Sequence, residues 1–179
     1  MFTETDVLGI IGSRLEKQGI PFMLTGSFAL GYYATPRMTR DLDIVVSLQP
    51  RNTDALVAAF SVDFYIDGGA AKSAIESESL FNLMHFDSGI KVDFIVRKSS
   101  EYRRLEFERR HRVTLGDAMT WIVSREDLIL SKLVWAMESQ SELQRRDVRQ
   151  LLAAEVDMAY LNRWANVLGV AGMLRELVP

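Results

Sequence analysis

The hexapeptide DLDIVV, Asp41–Val46, sets two carboxylates at the mouth of a segment that otherwise reads as a buried strand. That combination narrows what the chain can be. Side chains alternate along a strand, so Asp41 and Asp43 point to one side with Cα atoms about 6.5–7 Å apart. Leu42 and Ile44 point the other way, into core. Two unpartnered buried carboxylates repel each other and lose solvation, a cost on the order of several kcal/mol. A cation offsets that cost, and magnesium with oxygen ligands is the natural candidate.

A third carboxylate fits the same description. In KVDFIV, Asp93 lies between Val92 and Phe94 on a predicted strand, with Lys91, Asp93 and Ile95 on one face. If the two strands are neighbours, Asp93 projects beside the first pair. Two-metal phosphoryl chemistry uses this kind of set: carboxylates bridging two ions about 3.5–4 Å apart, one activating a hydroxyl and one holding the leaving phosphate. Upstream, PFMLTG reads as a short strand ending in Gly26, where a glycine allows close backbone approach. Ser27 opens the following helix and offers its hydroxyl and nearby N–H groups to an anion. As a bare helix start it also serves as an N-cap. Arg37 and Arg40 precede the aspartates and can reach the same phosphates; Arg40 serves equally as a local counter-ion to Asp41 or Asp43.

The rest of the chain places these motifs. Val7, Ile10, Ile11 and Leu15 form a helical stripe over about 4–18. SFALGYYA and RNTDALVAAF read as helices, DFYID as a strand, Gly68-Gly69 as a loop, and AKSAIESES as weakly helical. FNLMHF and IKVDFIV are strands joined at Asp87-Ser88-Gly89, and RVTLGDAMTWIVS is a second hairpin. From Ser124 the character changes: Ser124 with Asp127 matches a capping box, and helical spacing follows to the end. The expected organisation is an α/β body over residues 1–123 and a C-terminal helical subdomain, 124–179, packed on it. Trp121, Trp135 and Trp164 read as anchors of that subdomain's core, and His85 as a packing residue.

Composition closes off other classes. The 179 residues include no cysteine, which excludes disulfides and thiolate zinc sites, and only two histidines. The net charge of −3 advertises no general affinity for nucleic acid. The N-terminus lacks a basic, then apolar, leader, and no run of about 18 apolar residues exists to cross a membrane. A cytoplasmic location without membrane contact is expected.

Leu24-Thr25-Gly26-Ser27, then Asp41-Leu42-Asp43-Ile44, then Val92-Asp93-Phe94 is far more specific than an Asp-x-Asp alone. The arrangement resembles the nucleotidyltransferase superfamily with the DNA polymerase β-like fold, with Thr25 standing where an apolar residue is usual. SREDLILSKLVWAMESQSELQRRDVRQLL resembles the segment after the sheet in minimal nucleotidyltransferases of the AbiEii type, found in toxin–antitoxin and phage-defence systems. The resemblance spans roughly residues 20–152. It implies an α/β (α+β) fold with a short mixed sheet flanked by helices. It also implies Mg²⁺-dependent transfer of a nucleoside monophosphate from an NTP to an acceptor hydroxyl, with release of pyrophosphate. Asp41 and Asp43 would hold two Mg²⁺ ions, and Asp93 would complete the set and take the hydroxyl proton. Gly26 and Ser27 would grip the outer phosphates. Lys132 and Asp147 match the helix Lys and downstream Asp that act at or beside the site in that family. On pattern alone, Lys132 reads as a solvated residue of an amphipathic helix, and Asp147 as a surface partner of Arg145, Arg146 and Arg149.

The segment Arg97–Arg112 carries seven Lys or Arg against three Glu. It reads as a solvated face, or as a surface for nucleic-acid phosphates such as a tRNA acceptor end. The acceptor is a small molecule, a protein hydroxyl or an RNA end, and a cognate partner protein is a further candidate. The alternative to an enzyme is a non-catalytic nucleotide-binding or antitoxin-like protein of the same fold. The presence of all three carboxylates speaks for the enzyme.

Overall fold

The computed structural model describes residues 2–39 and 41–178. The elements run α1 (Glu4–Lys17), β1 (Phe22–Thr25), α2 (Gly26–Tyr33), β2 (Asp41–Val46), a short helical turn (Pro50–Asn52), α3 (Thr53–Phe60), β3 (Phe64–Ile66) and α4 (Gly68–Glu76). They continue through β4 (Leu80–His85), β5 (Lys91–Val96), α5 (Glu101–Glu108), β6 (His111–Leu115), β7 (Ala118–Ile122) and the helices α6 (Arg125–Ser139), α7 (Glu142–Leu152), α8 (Met158–Val167) and α9 (Ala171–Leu177). The strands form one mixed sheet in the order β3-β4-β5-β2-β1-β7-β6. β2 runs antiparallel to β1 and parallel to β5, and β1 runs parallel to β7.

Alternation decides the two faces of the central strands. Leu42, Ile44 and Val46 on β2 and Val92, Phe94 and Val96 on β5 are buried. Phe60 of α3 packs edge-on against Phe94 at 5.6 Å, and Phe22 of β1 fits over Gly12 of α1. Burying a Phe or Leu of this kind stabilises the fold by about 1.5–3 kcal/mol each. The opposite side of β2 and β5 carries Asp41, Asp43, Val45, Lys91, Asp93 and Ile95, all partly or fully exposed. That is the side left for chemistry.

The helices after Ser124 share this core: Leu128, Ile129, Leu133, Val148, Leu151, Leu161, Trp164 and Leu174 belong to the same buried cluster as the sheet residues. Asp127, wholly buried, fastens α6 to α5 and α8. It accepts hydrogen bonds from Tyr160 Oη (2.7 Å), Tyr102 Oη (3.3 Å), Arg109 Nε (2.9 Å) and Ser124 Oγ. A buried carboxylate saturated by donors is tolerated where a bare one is not.

Several local expectations change. Gly68 and Gly69 open α4 instead of forming a loop, because the Asp67 carboxylate accepts the Ala70 N–H at 2.9 Å and caps the helix. The charged run becomes α5, capped by Ser100. Ser124 does cap α6, but the Asp127 carboxylate takes the Ser124 hydroxyl and not its N–H. Of the three tryptophans only Trp164 anchors the tail's core; Trp135 is 57% exposed and Trp121 lies on β7. His85 does pack as expected, buried against Phe64 and bonded to Ser88.

Candidate active site

Strand register assembles the carboxylates. Asp43 of β2 stands opposite Asp93 of β5 and Thr25 of β1, and Asp93 in turn faces Asn82 of β4. One rung therefore crosses four strands as Asn82, Asp93, Asp43 and Thr25. Asp41 sits one alternation earlier, opposite Lys91. Immediately past Thr25 the chain turns at Gly26 with φ +67°, a left-handed value that favours glycine. A Cβ there would meet Asp43 Oδ2 at 1.9 Å and Cγ at 2.6 Å. The turn is thus moulded around the Asp43 carboxylate, and the nearby Ser27 N–H lowers that carboxyl against the effect of burial.

Asp43 is electrostatically uncomfortable. Burial, the neighbouring Asp93 and then Asp41 push its carboxyl up to about 6. Asp93 is better satisfied: Lys91 Nζ lies 2.9 Å from Oδ1 and 3.1 Å from Oδ2, and the Asn82 amide donates to Oδ1. The same contact holds the Lys91 ammonium above its ordinary value. Among the described residues no three ligating side chains stand ready-made as a metal cluster. Asp41 and Asp43 nevertheless fit a hard cation on chemistry: two same-face carboxylates, one of them desolvated and only partly compensated.

A second chain of contacts joins the turn to the helical tail. Arg37 donates to Ser27 Oγ, and its Nε lies 3.5 Å from Asp147 Oδ2. Asp147 pairs with Lys132 Nζ at 2.7 Å, and Lys132 also donates to Gln144 at 3.0 Å. Lys132 is 4% exposed and Asp147 1%, so neither is the solvated residue its helix pattern suggests. Their helices both pack against α2 and against each other, which closes this face from solvent. Burial pulls the Lys132 ammonium below its ordinary value, against the pull of Asp147, and Lys132 is close enough to Asp43 to lower that carboxyl slightly. Breaking a buried pair strands one charge. Lys132→Met is therefore expected to destabilise the protein by about 3 kcal/mol in urea unfolding, and Lys132→Met with Asp147→Leu to recover most of that loss.

Gly26, Ser27, Arg37, Asp43, Asp93, Lys132 and Asp147 are thus brought together, with Asp41 on the same face of β2 as Asp43; Arg40 lies outside the described residues. Ser27 does not act as the N-cap of α2. The helix starts one residue earlier with Thr25 as cap, and the Ser27 hydroxyl is turned to Arg37. Three polar residues of the site carry no motif: Asn82, Lys91 and Gln144. Alternation in FNLMHF and KVDFIV puts Asn82 and Lys91 on the exposed side, and only strand pairing brings Asn82 to Asp93.

A mixed sheet in which a Gly-Ser turn faces an Asp-x-Asp strand, with a third Asp on the next parallel strand, defines the nucleotidyltransferase fold. Solved structures agree. An antigenic nucleotidyltransferase-like protein from Paracoccidioides brasiliensis matches with a TM-score of 0.60 at 15% identity, over 97% of this chain and 90% of that one. The lincosamide antibiotic adenylyltransferase LnuA, lincomycin-bound, matches at 0.55 and 15%, over 83% and 96%. ANT(2″)-Ia in complex with adenylyl-2″-tobramycin matches at 0.56 and 12%, over 95% of both chains. No curated protein matches the chain. The family model for the nucleotidyl transferase AbiEii toxin, type IV TA system, matches residues 13–163. The chain belongs to this AbiEii family and is a nucleotidyltransferase. Among the described residues no helix is long and apolar enough to cross a membrane.

Proposed function

We propose that the chain transfers a nucleoside monophosphate from an NTP to an acceptor hydroxyl, with Mg²⁺ held by Asp41 and Asp43 and joined by Asp93. The observation that carries this is the rung that sets Asp43 against Gly26 and beside Asp93, with Asp41 on the same side. Bound there, metal ions would make the acceptor hydroxyl more acidic and neutralise the phosphates. The protein's own groups do the rest. The Gly26-Ser27 turn and Arg37 receive the outer phosphates, and Lys132, buried and kept near by Asp147, adds positive charge beside them. The acceptor oxygen bonds to the α-phosphorus as the bond to the departing pyrophosphate breaks, and the hydroxyl proton passes to Asp93.

The acceptor is best read as an RNA end, which suits a toxin role. Support comes from α5, β6 and β7, where arginines alternate with rings. Arg97 lies 5.7 Å from the Phe107 ring centre, Arg110 4.2 Å from Phe107 and 5.0 Å from Trp121, and Arg112 5.5 Å from Trp121. Arg110 Nε is buried without a partner, and burial together with Arg97 lowers the Arg110 pKa, so an added anion would be welcome. Arg97 continues the half-buried alternation of β5, about 13 Å along the strand from Asp93. Phe107 is buried and Trp121 half-buried, so what this face offers a single strand is chiefly arginine cations for its phosphates.

The test is calorimetric titration of the four NTPs with Mg²⁺, followed by transfer of label from the α-phosphate of the bound NTP to RNA. Wild type is expected to bind and transfer, and Asp41→Ala/Asp43→Ala to do neither. RNA affinity is expected to fall on the order of tenfold between about 50 and 200 mM salt if about three phosphates are contacted. Binding of an NTP without transfer to any acceptor would favour a nucleotide-binding role.

A further inference from the structure

The three aspartates are not equivalent. Asp41 and Asp43 share one side of β2 with no cation of the protein paired to either among the described residues, whereas Asp93 is already engaged by one. Lys91 Nζ lies within 3.1 Å of both Asp93 oxygens, and Asn82 donates to Oδ1. Lys91 reaches Asp93 along the same strand face and stands opposite Asp41 across the β2–β5 ladder, so its ammonium rests on Asp93 within the field of Asp41 and Asp43. Its side chain is 40% exposed, which leaves it free to swing into solvent.

We propose that Lys91 is a resident counter-cation that keeps Asp93 out of the metal set until it is displaced, so that the site loads its cations in order. The first ion binds at Asp41 and Asp43, and the second requires Lys91 to release Asp93. This rests on the reading of Asp41, Asp43 and Asp93 as metal ligands. It goes further by assigning a positioning role to a residue outside that set. The ordered filling follows from charge. With Lys91 in place, Asp93 and the ammonium nearly cancel, and a dication approaching Asp93 is repelled by Lys91 before it gains a ligand. The triphosphate of a bound nucleotide supplies the compensating negative charge, so the second ion arrives with substrate.

Mn²⁺ binding to nucleotide-free protein, read from the paramagnetic resonance signal of the free ion, tests this. Wild type is expected to bind one Mn²⁺ per chain at concentrations where Lys91→Met binds two. The second ion in the variant should bind about five- to tenfold tighter than in wild type. Lys91→Met/Asp93→Asn should return to one ion, and Lys91→Arg should behave as wild type. Thermal melting in chelator checks that each variant is folded, which the solvent access of Lys91 favours. Unchanged Mn²⁺ stoichiometry and affinity in a folded Lys91→Met, with wild type binding one ion, would overturn the role of Lys91. If wild type and Asp41→Asn/Asp43→Asn took up Mn²⁺ identically, the metal-ligand reading itself would fail, and the inference with it.

Discussion

Gly26→Ala is expected to abolish nucleotidyl transfer and to cost the fold about 2–5 kcal/mol in urea unfolding. Two penalties add. The residue adopts φ +67°, where a Cβ costs about 1–2 kcal/mol. The new Cβ would also lie 1.9 Å from Asp43 Oδ2 and 2.8 Å from Asp43 Cβ, so the carboxylate, the turn or both must move. The activity loss follows because the displaced group is the proposed metal ligand and the displaced turn is the proposed phosphate cradle. Repeating the substitution in an Asp43→Gly background separates the penalties. With no side chain to strike, only the backbone cost of about 1–2 kcal/mol should remain. An equal penalty in both backgrounds would mean that the turn is not moulded on Asp43.

Asp43→Asn is expected to move stability and activity in opposite directions. Transfer should fall on the order of a thousandfold, the scale seen when a charge-stabilising group is lost. Metal-free protein at neutral pH should become more stable by on the order of 2 kcal/mol, because the folded Asp43 carboxyl is raised to about 6 from an ordinary 3.8. The sign follows from proton counting. Between the two values the folded state holds more protons than the unfolded state, so wild-type stability falls as pH rises from about 4 to about 6, and the penalty is fully present above that. The stability gap between variant and wild type should therefore close as the pH is lowered through 6 towards 4 in the presence of chelator. A gap that stayed constant with pH would show that Asp43 is not strained by its surroundings. Saturating Mg²⁺ should also stabilise wild type and leave the variant nearly unmoved, because the ion relieves the same repulsion.

How much of this was legible in one dimension depends on the range of the interaction concerned. The strands carrying Asp43 and Asp93 are readable because alternation has a period of two residues and both segments keep it. Helix α6 is readable from Ser124 onward for a similar reason, with a capping residue ahead of helically spaced leucines. Gly68-Gly69 misleads because glycine is a weak helix former, and the Asp67 cap that overrides this acts across only three residues. The charged run misleads in another way. Glu106 is buried, bonded to Arg103 and Ser131, because α6 covers it.

The chemistry on offer is written in short stretches of chain: a glycine turn ahead of a helix, two carboxylates on one side of a strand, and a third on another. These are local properties of backbone and side chain. Which groups meet is a matter of strand pairing and helix docking. The parallel pairing of β2 with β5 sets Asp43 opposite Asp93, and the docking of α6 and α7 turns Lys132 and Asp147 from apparent surface residues into a buried pair tied through Arg37 to Ser27. Strand register and helix docking are chosen by burial of distant apolar faces against one another, and no window of sequence contains both partners.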